Sequence, residues 1–209
     1  NLSMSWKFLQ FQLDYTNYHD AIIYFNYPYA NNDMVTMTTY RNIPTIKQLT
    51  PALVIYPSFG MYTPQLTIAL QKQWIKSEEL IGETNLTKPI LLVGFSNTLD
   101  FGKKWLLDMN LNFQSKGDYQ NAYVYKNVWG LDFGISKSLF NDKLNIKLEG
   151  QDLLNMNNDA SIVYSPNIQL SQTNKYYRRM VVFTLRYRLN EKGSKHNSTT
   201  AGQEEIDKL

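Results

Sequence analysis

The sequence predicts an all-β fold: an antiparallel transmembrane β-barrel segment of about eight long strands, forming an open curved sheet from a larger barrel. Three observations predict it. Apolar side chains recur with a period of two on run after run, and the positions between them are rich in Asn, Gln, Asp and Arg. The connections alternate between short turns and long polar loops, which is the asymmetry of outer-membrane barrels. Aromatic residues make up 14% of the 209 residues, and Trp6, Trp74 and Trp105 fall near strand ends, where an interfacial girdle puts them.

The first strand is expected over 3–25, where Leu9, Phe11, Leu13 and Tyr15 alternate with Gln10, Gln12 and Asp14. The second, 33–57, is the weakest, because Pro44 and Pro51 must occupy edges, bulges or breaks. Strand 64–75 sets Leu66, Ile68 and Leu70 against Gln65, Thr67, Ala69 and Gln71. Over 90–101, Leu91, Val93, Phe95, Leu99 and Phe101 share a parity that Asn97 interrupts. The cleanest run is 104–114, with Trp105, Leu107, Met109, Leu111 and Phe113 on one face and Leu106, Asp108, Asn110 and Asn112 on the other. Strand 123–140 carries Trp129, Leu131, Phe133 and Ile135, and strand 143–153 carries Leu144, Ile146 and Leu148. The last, 175–190, places Val181, Phe183, Leu185, Tyr187 and Leu189 opposite Met180, Val182, Thr184, Arg186 and Arg188.

Short links are expected at 60–63, 102–104 and 141–143, and long ones at 26–32, 77–88, 115–122 and 155–174. Long loops lie outside the cell and short turns in the periplasm, so the final strand runs inward. The chain thus divides into a barrel segment, 1–190, and a polar periplasmic tail, 191–209, without an apolar face.

Composition excludes several chemistries. There are no cysteines, which removes disulfides, zinc–thiolate sites and thiol catalysis. His19 and His196 are the only histidines, and neither has a metal-ligand partner at helical or hairpin spacing. A serine nucleophile needs a paired base, so no enzyme is expected. No glycine-rich phosphate loop occurs, and no cofactor is expected. The net charge of +3, without a basic block, gives no footprint for nucleic acid. The pairs Glu78–Glu79 and Glu204–Glu205 read as solvated charge, and the glycosylation triplets at Asn85 and Asn197 as chance. The bland alternative is a soluble β-sandwich, whose strands are ordinarily shorter.

The inward positions would carry Gln10, Gln12, Gln71, Gln73, Asp108, Asn110, Asn112, Asp132, Lys147, Glu149, Arg186 and Arg188. A narrow eight-stranded core would have to satisfy every one of them, whereas a wide watery lumen asks much less. Strands 3–25 and 175–190 are therefore expected to be edges that do not pair with each other, and the chain to be a piece of a longer one. Ligand contact belongs on the long-loop end, where Tyr119, Tyr123 and Tyr164 could stack on a sugar or another flat ligand; the alternative is that they pack the loops.

Several stretches resemble the outer-membrane β-barrel family of Bacteroidetes, proteins that look like TonB-dependent receptors. They are Gly134 to Leu144 (GISKSLFNDKL), Gln151 to Asn155 (QDLLN), the closing Tyr176 to Asn190, the tail Thr200 to Leu209 (TAGQEEIDKL) and Phe59 to Trp74 upstream. The chain departs from the pattern in carrying Leu189 where phenylalanine is common and in not ending on an aromatic residue. The resemblance implies the C-terminal part of a barrel of about 22 strands. It implies nutrient uptake or surface ligand binding at the bacterial outer membrane. The partners it implies are membrane lipid, the remaining strands and plug domain of the same protein, a periplasmic energy-coupling protein and a surface lipoprotein. A non-transporting barrel, an adhesin or scaffold, is the runner-up, and a soluble sugar-binding β-protein the third reading.

Overall fold

The computed structural model describes residues 1–29, 32–75, 85–166, 168–176 and 178–189. The strands, in chain order, are β1 (Leu2–Trp6), β2 (Leu9–Tyr29), β3 (Asn32–Ile55), β4 (Tyr62–Ile75), β5 (Ile90–Gly102) and β6 (Trp105–Gln114). They continue with β7 (Gly117–Tyr119), β8 (Ala122–Val124), β9 (Val128–Leu139), β10 (Leu144–Gln151), β11 (Asp159–Ser165), β12 (Ile168–Asn174) and β13 (Met180–Tyr187). Among the described residues they form a nine-stranded sheet, β1-β2-β3-β4-β5-β6-β9-β10-β13, and a four-stranded sheet, β12-β11-β8-β7. Every pairing is antiparallel.

The main sheet is an open meander whose edges are β1 and β13, which do not pair with each other. Strands expected at 33–57, 64–75, 90–101, 104–114 and 143–153 stand within two residues of expectation as β3, β4, β5, β6 and β10. Other boundaries need correction. The run 3–25 is a hairpin, not one strand: Lys7 takes a positive φ of 52° and turns β1 back onto Leu9–Leu13 of β2. No Gly, Pro or Asn marks that turn, so nothing local announced it. The run 123–140 splits, since β8 joins the small sheet and β9 the large one. The eight strands become thirteen mainly because the loops 115–122 and 155–174 contain strands of their own, β7, the start of β8, and the hairpin β11–β12. The link expected at 26–32 is largely strand, because β2 reaches Tyr29 and β3 begins at Asn32. Residues 175–179 precede β13, and the tail 191–209 lies outside the described residues.

Both prolines of β3 interrupt a ladder. Pro51 pairs with Leu13 of β2, but the pairing of β3 with β4 lapses between Leu49↔Lys72 and Ala52↔Ala69. Pro has no N–H to donate there. Pro44 faces Asp20, where the β2–β3 ladder skips one step between His19↔Thr45 and Ala21↔Ile43. Asp20 takes a positive φ of 50°.

The core straddles that break. Ile23, Phe25, Ile43, Ile46, Ile75 and Leu86 form one buried cluster, with Ala21, Tyr27 and Tyr164 against it. The small sheet therefore closes over the far ends of β2, β3 and β4. Two hydrogen bonds fasten it: the Asn26 amide donates to Ser165 Oγ at 3.0 Å in the interior, and Asn121 Nδ2 donates to the Tyr24 carbonyl at 3.0 Å in a half-buried position.

Candidate functional site

Cross-strand register decides which side chains share a face, because directly paired residues point to the same side of a sheet. One row runs Met4, Phe11, Leu53, Ile68, Val93, Phe113 and Trp129 from β1 to β9. Another joins Leu99, Leu107, Ile135, Leu148 and Phe183 as far as β13. This face is apolar from edge to edge and is not covered by the small sheet: Phe183 is 65% exposed and Leu148 48%. Trp6 and Trp105 mark its short-turn end, with the Lys137 ammonium 4.4 Å from the Trp105 ring centroid.

The opposite face is polar. Thr67, Gly94, Asn112 and Gly130 form one row, and with Asp132 and Asn157 they line a cleft of about 510 Å³. Thr98 Oγ1 donates to Asp108 Oδ1 at 3.0 Å on the neighbouring strand. Lys147 pairs with Glu149, which also accepts from Gln151 Nε2 at 2.6 Å. Asp108, Asp132, Lys147 and Glu149 border a second cleft of about 210 Å³. Nearer the short turns, Ser138, Asp142, Asn145, Arg186 and Arg188 line a third, of about 490 Å³. Such a face offers donors, acceptors and both signs of charge to water or to a polar solute.

The described parts of the long connections gather at one end of the sheet and hold one another; residues 77–84 of the loop expected at 77–88 lie outside the described residues. Gln73, buried, donates through Nε2 to the Gln120 carbonyl at 2.9 Å and accepts the Gln120 amide at 2.7 Å. The Lys88 amide donates to Asp118 Oδ2 at 2.7 Å, and the Asp118 amide returns a bond to the Lys88 carbonyl at 2.9 Å. Burial pushes the Asp118 carboxyl up from its ordinary pKa, opposed by the Lys88 backbone amide, the Lys88 charge and the Thr87 backbone. The short turns share the other end, where Lys104 Nζ meets Asp142 at 2.9 Å and the Asp100 amide donates to the Met61 carbonyl at 2.8 Å.

An exposed apolar band on one face, a polar opposite face, and long loops segregated from short turns make up the wall of a transmembrane barrel. The family profile described as "Outer membrane protein beta-barrel family" matches residues 1–187. The chain belongs to this outer-membrane β-barrel family. Searches of curated proteins and of solved structures returned no match. Its place in the cell is the outer membrane. The apolar face, uncovered by a second sheet, also sets aside a soluble β-sandwich.

In this outer-membrane protein the three tyrosines expected to meet ligand lie at the long-loop end, on the small sheet. Tyr119 is half exposed and borders a cleft of about 230 Å³ with Tyr18, Ile22, Gln48 and Gln73. Tyr123 carries the Lys88 ammonium 4.2 Å from its ring centroid. Tyr164 packs against the core cluster. Register puts Tyr123 and Tyr164 on one face of the small sheet and Tyr119 on the other, since Tyr123 pairs with Ile162 and Tyr119 with Ala122. Among the described residues no three of His, Asp and Glu gather as a metal site. The residues missed in the sequence are those that build this end: Asp118, Asn121, Gln120 and the β11–β12 hairpin. A signal for the hairpin was present in the β-branched and aromatic run Ile162, Val163 and Tyr164.

Proposed function

We propose that the chain is the C-terminal part of a barrel of about 22 strands, similar to TonB-dependent receptors of Bacteroidetes, that takes up a nutrient or binds it at the cell surface. The observation that carries this reading is the pairing of a polar face with open edges. β1 and β13 leave one row each of backbone donors and acceptors unpaired, and an uncovered edge does not persist in hydrocarbon. Further strands of the same protein would cover them and enclose a wide lumen lined by Asp108, Asn112, Asp132, Lys147, Glu149, Arg186 and Arg188. The apolar face meets membrane lipid. A plug domain, a periplasmic energy-coupling protein and a surface lipoprotein complete the assembly, and no catalytic step belongs to it. Ligand contact falls to Tyr119 and Tyr123 at the outer end, on opposite faces of the small sheet, with Tyr164 on the face of Tyr123.

The second reading, an adhesin or scaffold, draws support from the β2–β3 hairpin. Its strands of 21 and 24 residues are about twice the length a barrel wall requires. Its far part exposes Tyr29, Met37 and Tyr40.

One measurement tests the sidedness both readings share, and a second separates them. Impermeant maleimide on intact cells should label Tyr119→Cys and should reach Lys103→Cys only after the outer membrane is opened; the reverse pattern would invert the topology. A strain lacking the gene should lose accumulation of one member of a panel of labelled nutrients, and a protonophore should abolish that accumulation in the parent. Loss of surface adhesion alone would establish the scaffold instead.

A further inference from the structure

The outward face of β3 and β4 changes character above the apolar band. On β3, Leu53 and Pro51 give way to Leu49, Lys47 and Thr45; on β4, Ile68 and Leu70 give way to Lys72 and Trp74. Lys47 stands directly opposite Trp74, and Lys72 opposite Leu49. The two lysines are therefore diagonal neighbours on one face, roughly 7–8 Å apart at the backbone. At that spacing two flexible ammonium groups reach a single anion.

The surroundings suit one. Lys47 and Trp74 line a cleft of about 440 Å³ with Thr45, Asn85 and Thr87, which bring hydroxyl and amide donors. The Lys72 ammonium sits 5.3 Å from the Trp74 ring centroid. Among the described residues the ion pairs are Lys104–Asp142 and Lys147–Glu149, and neither lysine here pairs with a described carboxylate. The cleft belongs to the long-loop end, at the level where apolar side chains yield to polar ones.

We propose that this cleft holds the phosphate of an anionic lipid headgroup in the outer leaflet. Lys47 and Lys72 take the phosphate oxygens, Trp74 lies at headgroup level, and Thr45, Asn85 and Thr87 add neutral hydrogen bonds. The short-turn end supplies the contrast. Lys137 also stands over a tryptophan, but its direct cross-strand neighbours are Trp105 and Ile146, and it lines none of the clefts described above. A lone lysine there snorkels to water; at the outer end Lys47 lines the cleft and Lys72 stands beside it, over the Trp74 that forms its wall.

Native mass spectrometry of the full-length protein, released from mixed micelles of phosphatidylglycerol and phosphatidylcholine, tests this. The wild type should retain phosphatidylglycerol preferentially. Each of Lys47→Gln and Lys72→Gln should reduce that adduct about fivefold and the double variant about thirtyfold, from roughly one kcal/mol per basic residue at a charged membrane surface. Lys137→Gln should leave it unchanged, and the double arginine variant should restore it. Equal retention by wild type and double glutamine variant, both folded by circular dichroism, overturns the proposal. Should the double variant not fold, unchanged retention in both single variants overturns it as well. Displacement of the lipid by millimolar inorganic phosphate would assign the cleft to a free anion and overturn the lipid assignment.

Discussion

Asp20 stands opposite Pro44 at the one step missing from the interior of the β2–β3 ladder, and there the hairpin exchanges its faces. Ile43 and Ile46 show the exchange. They are three residues apart on one strand, so unbroken alternation would send them to opposite sides. Both are buried in the same cluster, at 0% and 5% exposure. Pro44 lies between them and Asp20, at φ 50°, lies across from it. Below the break Leu9, Phe11 and Leu13 belong to the exposed band; above it Ile23 and Phe25 turn under the small sheet.

This break predicts an asymmetric response at residue 20. Asp tolerates a left-handed backbone, Gly does so more easily, and a β-branched residue does not. Asp20→Gly should leave stability nearly unchanged. Asp20→Val should cost about 1–2 kcal/mol, and hydrogen exchange should quicken at Ala21 to Phe25 but not at Leu9 to Leu13.

Neighbouring positions on β6 should answer oppositely to one substitution. Leu111 lies between Phe95 and Leu131 on the apolar face, and Asn110 between Ser96 and Asp132 on the polar one. Leu111→Arg should destabilise the barrel by roughly 2–4 kcal/mol near the bilayer midplane, while Asn110→Arg should cost about 1 kcal/mol or less. Urea titration of the full-length protein in lipid vesicles measures both.

Gly117 should not accept a side chain. A Cβ there would lie 2.5 Å from Ile90 Cγ1 and 2.5 Å from the Pro89 carbonyl oxygen. Gly117→Ala should therefore cost about 1–3 kcal/mol. Ile90→Val should not rescue it, because the backbone oxygen stays in place. Thermal denaturation of the single and double variants decides this.

The loop end should also lose stability as pH rises. Burial holds the Asp118 carboxyl above its ordinary pKa, so the folded chain binds that proton more tightly than the unfolded one. The contribution is complete below the unfolded value and falls as pH rises through the folded value. Asp118→Asn keeps an oxygen to accept the Lys88 amide and removes the titration. Exchange at the Lys88 and Asp118 amides should therefore depend on pH in the wild type, beyond the intrinsic rate, and lose that dependence in the variant.

The sequence by itself determined the two faces of β4, β5, β6, β9, β10 and β13, since alternation is a property of the extended backbone and needs no partner. It also determined the segregation of long loops from short turns, and with them the outer-membrane character. The tertiary structure alone decided the rest. The turn at Lys7 and the break at Asp20 rest on positive φ values that carry no glycine to announce them. The hairpin β11–β12 reads as loop because its polar residues fall on both faces, and the short strand β8 finds its second partner only in β11, nearly forty residues on. Lys47 and Trp74 are distant in sequence and become neighbours through the β3–β4 register, a long-range choice that local pattern does not contain. The same holds for Asp118 beneath Lys88: burial is conferred by what folds over a residue, and here the cover comes from chain far away in sequence.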